Sequence, residues 1–145
     1  MTNVLAAAVA ILARREHSAG ELTQKLMQKG FDPAAISHAI TTCQQQGLQS
    51  DIRFVEMILH ARIRQGYGLE RIRYELRQKQ VDPGILDQLL ASEPIDWVAQ
   101  AHQVLHKKYK SLQVDNFQQR QKQKQFLLYR GFANSIISQV FEQIE

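Results

Sequence analysis

The chain has 145 residues, 44% of them hydrophobic, and a formal net charge of +4. That composition supports a buried core and excludes disorder throughout. The single cysteine, Cys43, excludes an internal disulfide, suits a reducing cytosol and reads as a small buried apolar residue.

Val4 to Ala13 is apolar but only ten residues long, and Arg14 and Arg15 follow it. A signal peptide has the opposite order, and a membrane span needs about 20 apolar residues. The stretch therefore reads as the first buried helix of a cytoplasmic protein, running from Val4 to about Glu16 with Leu5, Val9 and Leu12 inward. No segment alternates apolar and polar residues with a period of two; apolar residues recur at helical spacing, which predicts nine helices.

Ser18 and Glu21 form an S-x-x-E capping box, in which the hydroxyl accepts an early N–H and the carboxylate reaches back to the cap. The second helix follows with Leu22, Leu26 and Met27 inward and stops at Gly30. Asp32-Pro33 starts the third, because Asp caps well and Pro lacks only an N–H that would be unpaired there. That helix buries Ile36, Ala39, Ile40 and Cys43 and ends near Gly47.

A shift of fifty residues then repeats the pattern. Leu22, Leu26 and Phe31 become Ile72, Leu76 and Val81; Asp32-Pro33 becomes Asp82-Pro83; Ile36 and Ile40 become Leu86 and Leu90; Leu5 and Val9 become Val55 and Leu59. A further shift of fifty-one takes Leu76, Gln80 and Val81 to Leu127, Gly131 and Phe132, and Leu86 and Leu90 to Ile137 and Phe141. In this third copy Ala133-Asn134 replaces Asp-Pro. Its first helix, about Pro94 to Tyr109, buries Val98, Ala101 and Leu105, and a longer connector runs from Lys110 to Asn116. The chain thus reads as all-α, with three tandem three-helix repeats at residues 1–50, 51–93 and 94–145. A unit this small buries its apolar stripe only against neighbours, so an elongated, curved array is expected.

Chemistry-bearing motifs are sparse. Neither a phosphate-binding glycine loop nor a G-x-S-x-G elbow occurs; Gly66 and Gly68 in "QGYGLER" lie in a helix connection. His102 and His106 share a helix face at metal-ligand spacing, but without a third ligand. Acids beside arginines, Arg53 with Glu56 and Glu70 with Arg73, read as surface pairs worth about 0.2–0.5 kcal/mol each. An enzyme is not expected, nor a cofactor or metal.

Charge is distributed unevenly. Residues 52–79 carry seven basic and three acidic residues, and 107–130 carry seven and one, whereas 1–51 balance at zero and 80–106 hold four acids and no Lys or Arg. Two basic blocks of this kind suit a polyanion. The expected contacts are Arg64, Arg73, Arg77, Lys107, Lys108, Arg120, Lys122 and Lys124, since Arg and Lys bind phosphates. Tyr67, Tyr74, Tyr109 and Tyr129 stand near these clusters, either to stack on bases or to edge the core. A free-standing nucleic-acid-binding module is one reading; an adaptor using the acidic run from Asp82 to Asp96 is another.

Two segments also resemble a known family. "LARREHSAGELTQKLMQKGF", Leu12 to Phe31, resembles the opening signature of the bacterial RecX regulatory proteins, R-R-x-H/Y-S followed by E-L-x-x-K-L-x-x-K-G-F. "GLQSDIRFVEMILHARIRQGYGLERIRYELRQKQVD", Gly47 to Asp82, is similar to the family's second segment, with Asp51, Arg53, Phe54, Gly66, Gly68, Ile72, Glu75 and Leu76 in the matching places. The third repeat matches in pattern, through "YRGF" from Tyr129 to Phe132. Gln80 stands where many relatives have Gly, and Gln49-Ser50 replaces the usual acidic or polar pair before Asp51. The resemblance implies a monomeric protein that binds the RecA recombinase filament, meeting DNA directly or through it. It would dampen ATP hydrolysis, strand exchange and promotion of repressor self-cleavage by lying in the filament groove or obstructing filament growth.

Overall fold

The computed structural model describes residues 3–110 and 116–144. Most of the expected connector from Lys110 to Asn116, residues 111–115, lies outside the described residues. Among those described, all regular structure is helical: α1 (Val4–Leu12), α2 (Ala19–Gln28), α3 (Pro33–Gln45), α4 (Asp51–Arg64), α5 (Leu69–Gln78), α6 (Pro83–Ser92), α7 (Trp97–Lys108), α8 (Phe117–Tyr129) and α9 (Asn134–Ile144). None is long and apolar enough to cross a membrane. The chain packs as two compact units, Met1–Met57 with Leu76–Leu89 and Ile58–Glu75 with Leu90–Glu145, so the helices of the middle repeat are shared between them.

The first unit has its core in α1–α3, where Ala7, Ala8, Leu22, Leu26, Ile36, Ile40 and Cys43 are buried together. Burial pushes the Cys43 thiol up from its ordinary pKa, as for an inert apolar side chain. The face that α1 buries matches the sequence expectation at Leu12, which packs against the core, and differs at Leu5 and Val9. Leu5 and Val9 are 36% and 39% exposed, while Val4, Ala7, Ala8 and Ile11 turn inward. The two buried alanines carry no side chain beyond Cβ, so α1 lies close against α3. Met27, expected inward, is 46% exposed for the same kind of reason: Leu22 and Leu26, four apart, already fill the stripe of α2.

Helix starts follow the cap chemistry. Asn3, Ser18, Asp32, Asp96 and Asn116 each accept an early N–H of the following helix. Ser18 accepts from Glu21 N at 3.0 Å, but Glu21 does not turn back to it. The carboxylate instead receives Arg15 at 2.7 and 3.2 Å and Lys79 at 3.0 Å. Arg53 likewise pairs with Glu16 at 3.2 Å rather than with Glu56.

A specific contact joins neighbouring repeats inside each unit. In the first, Ser18 Oγ donates to Lys79 O at 2.8 Å, and a Cβ on Gly20 would lie 2.6 Å from Gln80 Cβ. In the second, Gly68 N donates to Arg130 O at 2.8 Å and Glu70 N donates to Gly131 O at 2.9 Å. Ser18 and Gly68 are repeat-equivalent, as are Lys79 and Arg130. In both units, then, the turn that ends the middle helix of one repeat sits on the start of the middle helix of the repeat before it. Gly131 suits its turn because φ is +94° and a Cβ there would meet Arg71 N at 2.7 Å. Its equivalent in the first unit is Gln80, held at φ +61°.

The second unit has its core in α7–α9, around Ala101, Leu105, Leu127, Phe132, Ile137, Val140 and Phe141. Val98, expected inward, packs against it partly buried.

Two outcomes are expected. Burial raises the Glu21 pKa, but the hydrogen bonds and charges of Arg15 and Lys79 outweigh it and bring it from 4.5 down to about 2. A depressed carboxyl stabilises the fold above its unfolded pKa and loses that contribution as pH falls through the folded value. Glu21→Gln should therefore cost about 1–3 kcal/mol at pH 7, after allowance for the exposed ends of its partners. The gap to the parent in urea melts should close between pH 4.5 and about 2. Gln80→Gly, which removes the strain of a left-handed non-glycine residue, should raise stability by about 0.5–1 kcal/mol in the same melts.

Candidate nucleic-acid interface

At the end of α4 the last carbonyls lack helical partners. Gln100 Nε2 of α7 donates to Ile63 O at 2.8 Å, and Arg130 Nη1, just past α8, donates to Gln65 O at 2.9 Å. The Arg130 guanidinium lies 5.0 Å from the Tyr67 ring centroid and 5.3 Å from that of Phe126. Arg71 covers Tyr67 as well, at 4.1 Å. Tyr67 thus already packs against two guanidinium groups. Tyr109 packs edge-on to Phe126 at 5.9 Å, on the margin of the core. Tyr74 and Tyr129 remain exposed.

These contacts frame a groove of about 400 Å³ between the end of α4, α7 and the end of α8. Arg64, Lys107, Lys108 and Arg130 line it with Gln103, and Val104 lies among them; no carboxylate lines it. Arg64 and Lys107 are exposed and have no side-chain partner among the described residues. Lys108 lies 5.9 Å from the Phe126 ring centroid. Lys107 and Lys108 stand in the last turn of α7, where the helix dipole favours cations. Glu75, an acid of α5 in the same unit, is bound bidentately by Arg62 at 2.6 and 2.7 Å. Four cations converging without a carboxylate form a site for an anion with several oxygens, such as successive phosphates.

Of the sequence-expected contacts, Arg64, Lys107 and Lys108 come together here. Arg73 and Arg77 lie one turn apart on α5, and each already holds an interaction within the chain, as does Arg120 on α8. Lys122 is exposed on α8, and Lys124 is half-buried with its ammonium 5.4 Å from the Phe141 ring centroid. None of these five lines the groove. Arg130 is the member that the sequence did not single out. Its signal was position: an arginine immediately before a helix-ending glycine is close enough to reach carbonyls and still project into solvent. His102 and His106 have no third potential metal ligand grouped with them among the described residues.

Family models match the chain in three places: the first three-helix domain of RecX at residues 5–43, the second at 50–90 and the third at 95–141. The chain belongs to the RecX family. The regulatory protein RecX of Legionella pneumophila strain Corby is 43% identical over 145 residues, covering 100% of this chain and 97% of the relative. That of Vibrio campbellii is 38% identical over 132 residues, covering 91% and 85%. The crystal structure of RecX from Lactobacillus salivarius shares the fold at a TM-score of 0.79 and 22% identity, over 97% of this chain and 93% of that one.

The RecX-like segments have structural reasons in this chain. In "RREHS", Arg15 pairs with Glu21, His17 is buried and Ser18 caps α2. In "QSDIRF", Asp51 Oδ1 accepts from Ala19 N at 2.8 Å and from Gln49 Nε2 at 3.0 Å, while Phe54 enters the core. Gln49 also donates to His17 O at 3.1 Å, so it does the work of a buried polar link. Arg130→Met should lower stability by about 1–2 kcal/mol through the lost carbonyl bond and ring contacts. Arg130→Lys should restore little of it in urea melts, because an ammonium cannot both span the rings and reach Gln65 O.

Proposed function

We propose that this RecX-family protein binds the RecA recombinase–DNA filament and restrains ATP hydrolysis, strand exchange and repressor cleavage, by occupying the filament groove or blocking its extension. It acts in the cytoplasm as a monomer built from the three-helix repeats at residues 1–50, 51–93 and 94–145. The groove of Arg64, Lys107, Lys108 and Arg130 meets phosphates of the DNA that the filament carries, and the exposed Lys122 of α8 adds a further contact. Arg73, Arg77, Arg120 and Lys124 contribute to the partner surface through their helices. The observation that carries this reading is the convergence of four cations on one groove that no carboxylate lines. The naming of the relatives as regulatory proteins supports it.

A second reading, a free-standing nucleic-acid-binding module, draws on the same groove. It requires strong binding to bare DNA that weakens steeply with salt. Weak binding to bare DNA beside strong binding to the filament rejects it.

The deciding experiment adds the protein to preformed RecA filaments on single-stranded DNA and follows ATP hydrolysis and filament length together. Arg64→Glu with Lys107→Glu should raise the half-inhibitory concentration by about tenfold, since phosphate contacts are lost with little change in fold. Arg73→Glu with Arg77→Glu should weaken inhibition too, with helical circular dichroism retained. Inhibition by the Arg64/Lys107 variant equal to the parent's would remove the groove from the mechanism.

A further inference from the structure

The first unit holds a second cationic groove, of about 830 Å³, between α1 and the end of α2. Arg14, Arg15, Lys25 and Lys29 line it with His17, and its floor is the alanine side of α1, Ala6 and Ala10 among it; no carboxylate lines it. Charge counting along the sequence hides this cluster, because residues 1–51 sum to zero. Of the acids of that stretch, Glu21 neutralises the groove's own Arg15 and the others are engaged elsewhere. Glu21 serves Arg15 and Lys79, Glu16 serves Arg53, Asp32 caps α3 and Asp51 accepts from Ala19.

The interior of the groove is ordered. Lys25 Nζ lies 2.7 Å from His17 Nε2, and His17 Nδ1 lies 3.0 Å from Arg15 O. An ammonium only donates, so Nε2 accepts and Nδ1 carries the proton. His17 is therefore neutral, consistent with burial lowering its pKa. The imidazole fixes the Lys25 ammonium by one N–H and leaves two for a ligand. Arg14 and Lys29 have no side-chain partner among the described residues. The carbonyl ends of α1 and α2 attract cations to this place, but each helix end amounts to about half a charge against the three cations, Arg14, Lys25 and Lys29, that remain beside the Arg15–Glu21 pair.

We propose that this groove binds phosphates of a nucleic-acid backbone, with Arg14, Lys25 and Lys29 as the contacts and His17 as the residue that positions Lys25. An anion with several oxygens matches three cations around an open trough. The lining contains no Phe, Tyr or Trp ring to stack on a base, and the His17 imidazole is buried, so it suits a sugar–phosphate strand better than a single nucleotide. The inference deepens the proposed function by giving the protein two separate phosphate contacts, one in each unit. It rests on that reading for the identity of the strand.

The test uses the full chain and fluorescence anisotropy with a labelled oligothymidylate, titrated at several salt concentrations. Arg14→Gln with Lys29→Gln should flatten the slope of log affinity against log salt by about 1.4, at roughly 0.7 per lost single-strand phosphate contact. Its thermal melt should match the parent's, as neither side chain holds a partner. Arg64→Gln with Lys107→Gln should flatten the slope separately and additively. An unchanged slope for the first pair overturns this inference while the second pair still supports the proposed function. An unchanged slope for the second pair alone counts against the earlier groove and leaves this one standing; no change in either removes both. In a parallel NMR titration the oligonucleotide should shift the His17 ring resonances. If inorganic tripolyphosphate shifts them and the oligonucleotide does not, a free polyphosphate is the occupant and the backbone assignment is wrong.

Discussion

Each unit depends on a helix start seated on a helix-ending turn. The approach is close because the seated side is stripped of bulk. Gly20 in one unit and Gly68 in the other leave no room for a Cβ, whose nearest neighbours would stand at 2.6 and 2.5 Å. The bonds made there satisfy groups that helix ends leave open: a carbonyl at Lys79 or Arg130 finds a donor, and the early N–H of Glu70 finds an acceptor. A three-helix repeat too small to close its own core thereby acquires a defined neighbour. The apolar clusters of α1–α3 and α7–α9, together with Phe54, Val55, Ile58, Leu59, Ile72 and Leu76 of the middle repeat, then supply the burial.

The functional surface is a by-product of how those ends are closed. Gln100 and Arg130 reach the final carbonyls of α4, and that duty sets Arg130 beside Arg64, Lys107 and Lys108. Acids in the same unit are drawn off by structural pairs, as Glu75 is by Arg62. A similar division holds in the first unit, where Glu21 and Glu16 are engaged with Arg15, Lys79 and Arg53. In both places the lining is cationic and no carboxylate enters it. The net charge of the surrounding segment is a poor guide to that.

Helix number, the caps at Ser18 and Asp32 and the repeat spacing were legible in the sequence, because each rests on local chemistry that a neighbour does not override. The buried face of α1 was not. Hydrophobicity favours Leu5 and Val9, whereas close packing against α3 favours alanine, and only the partner helix decides between them. Ion pairs were misassigned for a related reason. Arg53 has Glu56 one turn away, but Glu16, 37 positions earlier in sequence, is the acid it meets. Arg64, Lys107 and Lys108 stand out by local charge and do converge; Arg130 does not stand out, since its place follows from α4 ending where α8 ends. The sharing of the middle repeat between two packing units had no signature in a pattern that repeats evenly.

The seat between repeats in the second unit is formed by peptide groups, Gly68 to Arg130 and Glu70 to Gly131. Peptide groups are common to every residue type, so such a joint constrains side-chain identity only where bulk must be absent. Most positions around it are then at liberty to diverge while the architecture persists. The Lactobacillus salivarius protein, alike in shape at 22% identity, is what a lineage with that liberty would leave behind.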